Sequence, residues 1–263
     1  MEKINFILKY LTYRLTAKHR NGYGIHSPFL YNFVRNVLYG NNYFYAYDDI
    51  AELRYDLLES EKKINVTDFG AGSKVMKTNA RKVKDIARYS AIREKFGEML
   101  FRTVEHYKPK IILELGTSLG LGTLYLAMPD KRASVYTIEG CPETAKVASE
   151  NFAEMNAENI KQIIGNIDDK LPELLNNLKT VDFVYFDGNH QKEASLKYFN
   201  QCLKKANNET IFYFDDIHWS KEMEEAWEEI KRNEKVRLSI DLFFSGLVFF
   251  KKELSKENFV VKF

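Results

Sequence analysis

Glutamates at two strand ends and a run of glycines define the first chemistry written into this chain. In "IILELGTSLGLGT" (111–123) an apolar run carries Glu114 near its end. Gly116, Gly120 and Gly122 follow, with Ser118 inside the turn. Glycine accepts positive φ and lets the backbone approach a ligand closely. The apolar helix pattern "LGTLYLAM" comes next, and then the strand-like run "ASVYTIEG", which ends in Glu139, 23 residues beyond Gly116. A strand, a glycine turn, a helix and a second strand ending in an acid form the context that holds a nucleoside. The turn takes its body, and the terminal acid takes the ribose hydroxyls.

A second glycine stretch, "VTDFGAGSK" (66–74), competes for the same role. The polar, basic "SKVMKTNARKVKDIARYS" follows it, and Ser90 stands where the acid would be needed. It fails the context test. A kinase reading of Asp68–Gly70 fails as well, because no glycine-rich loop or catalytic-loop motif precedes it. Two readings remain for 66–74: a structural turn, or a mobile cover hinged at Gly70 and Gly72.

These residues need a scaffold, and the rhythm of the chain supplies one. From residue 96, the apolar runs "KIILEL", "SVYTIE", "IKQII", "VDFVYF" and "TIFYF" alternate with amphipathic segments such as "CPETAKVASENFAEM" and "HQKEASLKYFNQCL". Alternation of this kind implies a parallel sheet covered on both faces, with ligands bound past the carboxyl ends of the central strands. The fold class is α/β, a doubly wound, Rossmann-like, mostly parallel seven-stranded sheet with an antiparallel C-terminal strand. "VRLSIDLFFSGLVFF" reads as a hairpin turning at Ser245–Gly246, and "ENFVVKF" as a further short strand. Residues 1–95 read as a helical N-terminal lobe and 96–263 as the ligand-binding domain. In the lobe, "INFILKYLTYRL" has helical spacing, Ser27–Pro28 starts a second helix and Gly40 stops it, and "DDIAELRYDLLES" is a third.

Composition narrows the classes. Two cysteines, Cys141 and Cys202, exclude a disulfide framework or a zinc cluster. No apolar run reaches the ~20 residues that span a bilayer. "MEKINFILKYLTYRLTAKHR" lacks a signal-peptide core, so a reducing cytoplasm is expected. The net charge is +2, but residues 1–100 carry 17 Lys/Arg against 11 Asp/Glu, and "KVMKTNARKVKDIARYSAIREK" (74–95) has eight basic residues against two acidic. That stripe is either a solvated helix face or a surface for an acidic partner.

The turn at 111–123 is not G-x-G-x-x-G, and a strand-end acid precedes it, which suits a cofactor carrying an amino group better than a pyrophosphate. S-adenosylmethionine fits, with Glu114 facing its ammonium and Glu139 its ribose. "ILELGTSLGLGTLYLA" followed by "VYTIEG" resembles the first two motifs of class I S-adenosylmethionine-dependent methyltransferases. "SAIREKFGEMLFRTVEHYKPKIILELG", "VDFVYFDGNH" and "IFYFDDIHW" sharpen the resemblance toward the catechol and caffeoyl-CoA O-methyltransferases, over about residues 90–252. "GIHSPF" is similar to a stretch of uncharacterised bacterial methyltransferase-like proteins.

The resemblance implies cofactor contacts from Glu114, Gly116, Ser118, Gly120, Glu139, Asn166 and Asp187. It also implies a divalent cation, magnesium or similar, on Asp187, Asp215 and Asp216, to lower the pKa of an acceptor hydroxyl. Two departures open a metal-free route. Asp216 replaces the family's asparagine, and His190 replaces its frequent lysine base, so His190 can take the acceptor's proton while Asp187 or Asp215 orients its ring. Each residue also has a plain alternative. Asp187–Gly188 reads as a turn, Asp215–Asp216 as a cap for a helix near Trp219, and Asn166 as a turn residue beside Gly165. His218 reads as a packed loop residue and His26 as a local hydrogen bonder.

The leading function is O-methylation of a small-molecule acceptor. The rivals are a noncatalytic cofactor-binding module and a methyltransferase acting on nucleic acid or protein. Near-neutral charge argues against nucleic acid, as does the lack of an Asn/Asp-Pro-Pro-aromatic motif after "VDFVYF". "INFILKYLTYRL" leaves membrane-surface contact or a homodimer interface open, without stable insertion.

Overall fold

The structure, a computed structural model, describes residues 2–67 and 79–263. It divides into two compact units, residues 1–40 with 179–263, and residues 41–178. Asp68, Gly70 and Gly72 lie outside the described residues, as do 74–78 of the basic stripe.

The first unit opens with α1 (Glu2–Thr16) and α2 (Pro28–Phe33), which continues as a π-helical segment, Val34–Leu38. Ser27 caps α2 as its sequence indicates: the Leu30 N–H donates to Ser27 Oγ (3.4 Å) and Pro28 fills the first helical position. The second unit then begins with α3 (Tyr45–Glu59). A short antiparallel pair follows, β1 (Lys63–Asn65) with β2 (Ala80–Lys82), and leads into α4 (Val83–Tyr89).

The second unit continues with α5 (Glu94–Tyr107), β3 (Ile111–Leu115), α6 (Leu121–Ala127), β4 (Ser134–Glu139), α7 (Pro142–Glu154), β5 (Ile160–Ile164) and α8 (Ile167–Asn177). β3, β4 and β5 are parallel neighbours in that order, in a register that sets Glu114 beside Thr137 and Glu139 beside Ile164. Ile112, Leu113 and Leu115 are fully buried, the mark of a strand covered on both faces. α5 buries Phe96, Met99, Leu100 and Val104 at helical spacing. It comes close to α6 because Gly97 has no side chain: a Cβ there would lie 2.2 Å from the Tyr125 ring.

The chain re-enters the first unit through β6 (Val181–Phe186), α9 (Lys192–Leu203), β7 (Ala206–Asp215), α10 (Lys221–Arg232), β8 (Leu238–Asp241), β9 (Ser245–Phe249) and β10 (Glu257–Val260). The hydrogen-bonded order within this unit is β10-β8-β9-β7-β6, with β9 antiparallel to both β7 and β8. With β10 pairing parallel to β8, β3 to β10 number eight strands rather than the expected seven.

The C-terminal hairpin corrects the sequence reading. It turns at residues 242–244, and Ser245 and Gly246 already belong to β9. Gly246 marks a close approach inside a strand rather than a bend, since a Cβ would meet Trp227 Cη2 at 2.6 Å. The bend falls instead at Phe243, which adopts φ 73 and is fixed by its N–H donating to Asp241 Oδ1 at 2.8 Å.

Candidate active site

In the second unit, the turn after β3 is shaped by three left-handed positions: Gly116 (φ 102), Ser118 (φ 50) and Gly120 (φ 85). The Gly116 N–H donates to the Ile138 carbonyl (3.0 Å), which ties the turn to β4. Ser118 holds its unusual backbone because its N–H donates to Glu139 Oε2 (2.8 Å), while the Cys141 N–H donates to Oε1 (2.9 Å). Glu139 thus sits at the end of β4 with backbone amides holding both of its oxygens. Burial raises its pKa, against the opposing pull of the Cys141 and Ser118 amides. Gly120 starts α6, and its missing side chain leaves room for Phe152 of α7, whose ring a Cβ would meet at 2.5 Å.

Glu114 is 1% exposed. Its Oε2 accepts hydrogen bonds from the hydroxyls of Thr137 (2.6 Å) and Thr123. Thr117 Oγ1 lies 2.5 Å from Thr137 Oγ1, so a hydroxyl chain runs from the turn to the acid. Burial pushes the Glu114 carboxyl up to about 8, although the two hydroxyl donors favour its charged form. Thr123, Thr137 and Asn151, whose Nδ2 donates to the Leu119 carbonyl (2.8 Å), are site-shaping residues that the sequence reading missed. Their signal is weak, because each lies 9 to 32 positions from the group it holds.

Asn166 caps α8, its Oδ1 accepting from the Asp168 N–H (3.0 Å). The first glycine stretch also reaches this neighbourhood at its described start. The Thr67 N–H donates to Cys141 Sγ (3.4 Å), and the Asn65 N–H to Glu143 Oε2 (2.6 Å).

In the first unit, Asp187 follows β6 directly. Tyr185 Oη donates to its Oδ2 (2.9 Å), and His190 Nε2 lies 3.7 Å from its Oδ1. Asn189 between them takes φ 51, which turns the chain back toward the acid. Asp215 ends β7, and Asp216 takes φ 53 with its N–H donating to the Phe244 carbonyl (2.7 Å). Burial first, and then the charges of Asp187 and Asp216, push the Asp215 carboxyl well above its usual range; it also shares a hydrogen bond with the Asp187 carboxyl. The helix-cap alternative for Asp215–Asp216 fails, because Ser220 caps α10 by accepting from the Met223 N–H (3.1 Å).

His218 is bound rather than simply packed. Its Nε2 meets Asp241 Oδ2 at 2.8 Å, its Nδ1 meets Glu224 Oε1 at 3.2 Å, and its ring stacks on Phe243. His26 is exposed.

The donor chemistry of Asp187, Asp215 and Asp216 suits a hard cation. Yet among the described residues no group of three or more His, Cys, Asp or Glu side chains is arranged to hold a metal ion. The implied three-carboxylate set is not assembled as a cation cage. Asp187 and Asp215 are hydrogen-bonded to one another, and Asp187 also binds Tyr185.

Residues 113–217 match the family model of a methyltransferase domain. A probable O-methyltransferase of Mycobacterium tuberculosis is 31% identical over 116 residues, which are 41% of this chain and 49% of that protein. The chain therefore spans about half the length of that curated relative. Among solved structures, a Podospora anserina methyltransferase bound to SAH superposes with a TM-score of 0.60 at 15% identity, covering 87% of this chain and 98% of that one. The O-methyltransferase of Bacillus cereus in complex with SAH gives 0.55 at 17%, covering 80% and 92%. TomG of Streptomyces achromogenes, an O-methyltransferase in complex with SAM, gives 0.55 at 20%, covering 62% and 82%. The chain thus carries a methyltransferase-domain match over residues 113–217 and shares its doubly wound α/β fold with methyltransferases solved with SAM or SAH bound, O-methyltransferases among them.

Proposed function

We propose that this chain is an S-adenosylmethionine-dependent methyltransferase that methylates an oxygen of a small-molecule acceptor. One observation carries the reading. Glu139, at the end of β4, is tied to the β3–α6 turn by the Ser118 amide and braced from its own strand end by the Cys141 amide, and the turn's backbone is bent by Gly116 and Gly120. Each carboxylate oxygen can accept more than one hydrogen bond, so Glu139 can hold the turn and also accept from ribose hydroxyls. Glu114 beneath the turn supplies a negative charge against an ammonium when it ionises, and Asn166 offers its amide N–H groups beside the α8 cap.

S-adenosylmethionine, when bound, supplies a methyl group on a sulfonium. His190 takes the proton from the acceptor hydroxyl, and Asp187 orients the imidazole and stabilises its cation from 3.7 Å. Tyr185 in turn fixes Asp187. We further propose that the helical segments before residue 96 form much of the acceptor side, and that the protein works in a reducing cytoplasm, in keeping with two buried free cysteines.

The test is transfer of labelled methyl from S-adenosylmethionine to a panel of phenols and other hydroxyl compounds. Wild type is expected to turn over at least one acceptor. His190→Ala and Asp187→Ala are expected to lose about 10²- to 10⁴-fold in kcat, with His190→Ala still binding the demethylated product. Unchanged turnover in both variants refutes the base assignment. Cofactor binding with no turnover on any acceptor class supports the noncatalytic module instead.

A further inference from the structure

The first helix has two apolar faces, and only one is covered. Phe6, Tyr10, Tyr13 and Ala17 recur at helical spacing and pack against Phe243 and Phe244, with ring centroids 5.1 to 5.4 Å apart for the nearest pairs. Tyr13 also donates its hydroxyl to the Val261 carbonyl (2.7 Å), so α1 is anchored along that side. Ile7, Leu8, Leu11 and Leu15 fall roughly 150° around the same helix, at 100° per residue. They are 56%, 56%, 52% and 85% exposed. A water-facing helix side normally carries polar residues. Four large aliphatics on one continuous strip are a surface with a use.

The charge around that strip says what it meets. At 100° per residue Arg14 falls at the edge of the strip, and Lys18 and Arg20 follow just beyond the helix end, all exposed. Residues 1–40 contain six Lys/Arg and one acid, Glu2, although the whole chain is only +2. Lys9 is turned away, bound to Glu224 at 2.6 Å. Tyr23, 81% exposed, adds an amphipathic ring just beyond the helix. An apolar stripe with basic residues at its border matches a surface that is oily within and negative outside. A second copy of this chain would bring the same basic border against itself.

We propose that this face of α1 lies on an anionic lipid surface, with Ile7, Leu8, Leu11 and Leu15 at the headgroup–acyl boundary and Arg14, Lys18 and Arg20 against lipid phosphates. The contact is peripheral. Among the described residues no helix is long and apolar enough to cross a membrane.

Co-sedimentation of the full chain with lipid vesicles tests this, using phosphatidylcholine alone and phosphatidylcholine with about 30% phosphatidylserine, to supply the negative surface potential. Wild type should partition onto the anionic vesicles at least tenfold better than onto neutral ones, and less so at high salt. Leu11→Asp with Leu15→Asp should abolish binding. Arg14→Glu with Lys18→Glu should weaken it by roughly tenfold or more, since each basic residue near the surface is worth about fivefold. All four side chains are exposed, so thermal melting of each variant should match wild type. Absent binding, or equal binding to both vesicle types, overturns the proposal. A wild-type dimer in light scattering that becomes monomeric in the double Leu variant also overturns it, because the stripe then belongs to a second copy.

Discussion

Substituting Glu114 by glutamine separates the two roles of this acid, as a buried group in the fold and as a counter-charge to the cofactor. In the folded chain its carboxyl is pushed up to about 8 by burial, from an ordinary 4.5. An acid whose pKa rises on folding is kept protonated by the native state while the unfolded chain releases its proton. Between about pH 4.5 and pH 8 stability therefore falls as pH rises, and the loss levels off above pH 8. At about 1.4 kcal/mol per pH unit, the group removes a few kcal/mol, most of it between about pH 5 and pH 8. A glutamine at this position has a similar shape and keeps an oxygen for the Thr123 and Thr137 hydroxyls, but it cannot ionise. Urea unfolding at pH 5, 7 and 9 should show Glu114→Gln matching wild type at pH 5 and exceeding it by about 2 kcal/mol or more at pH 9. The same carboxyl must ionise to oppose an ammonium, so binding of S-adenosylmethionine near pH 7 should release close to one proton. That release is measurable by calorimetry in buffers of different ionisation enthalpy. Parallel pH–stability curves for the two proteins, together with proton-neutral binding, would refute the reasoning.

Other substitutions probe neighbouring groups. Gly120→Ala combines a left-handed φ with a Cβ 2.5 Å from the Phe152 ring, and should cost more than about 2 kcal/mol in chemical denaturation. Phe152→Ala in the same chain should recover part of the steric loss but not the backbone strain. Burial pulls the His218 pKa down, but hydrogen bonds and charge from Asp241 and Glu224 outweigh it, and the net shift is upward. Its stabilisation is therefore fully present below about pH 6.5 and lost as pH rises through the raised value, so His218→Gln should destabilise more at pH 6 than at pH 9, read from melting temperature. Glu139→Gln should leave the fold intact yet weaken S-adenosylhomocysteine binding tenfold or more, because its oxygens both brace Ser118 and serve the ribose.

Much of this arrangement was legible in one dimension because its signals are local. The β3–turn–α6–β4 unit announces itself through apolar runs, glycines and a terminal acid within 29 residues, 111–139. Ser27–Pro28 likewise starts α2 by chemistry that acts within one turn of helix. What escaped is of two kinds. β1 and β2 are three residues each, too short to display a period, and β2 lies in a basic stretch that reads as helix. β7 begins before its apolar run, in "ANNET", where a register shift opposite Val181–Phe183 absorbs the polar extra residues. The rest depends on distant partners. His218 is defined by Asp241, 23 positions away, and Glu114 by Thr123 and Thr137, so neither environment has a local pattern. The hairpin bend falls at Phe243 rather than Ser245–Gly246 for the same reason: the Trp227 ring needs the bare glycine within β9.

Calorimetric titration of the full chain with S-adenosylhomocysteine puts the central claim to its most direct trial. The expected result is one site per chain in the micromolar range, weakened at least tenfold by Glu139→Gln and unaffected by His190→Ala. No heat of binding at high micromolar ligand, or binding that ignores Glu139, would contradict it.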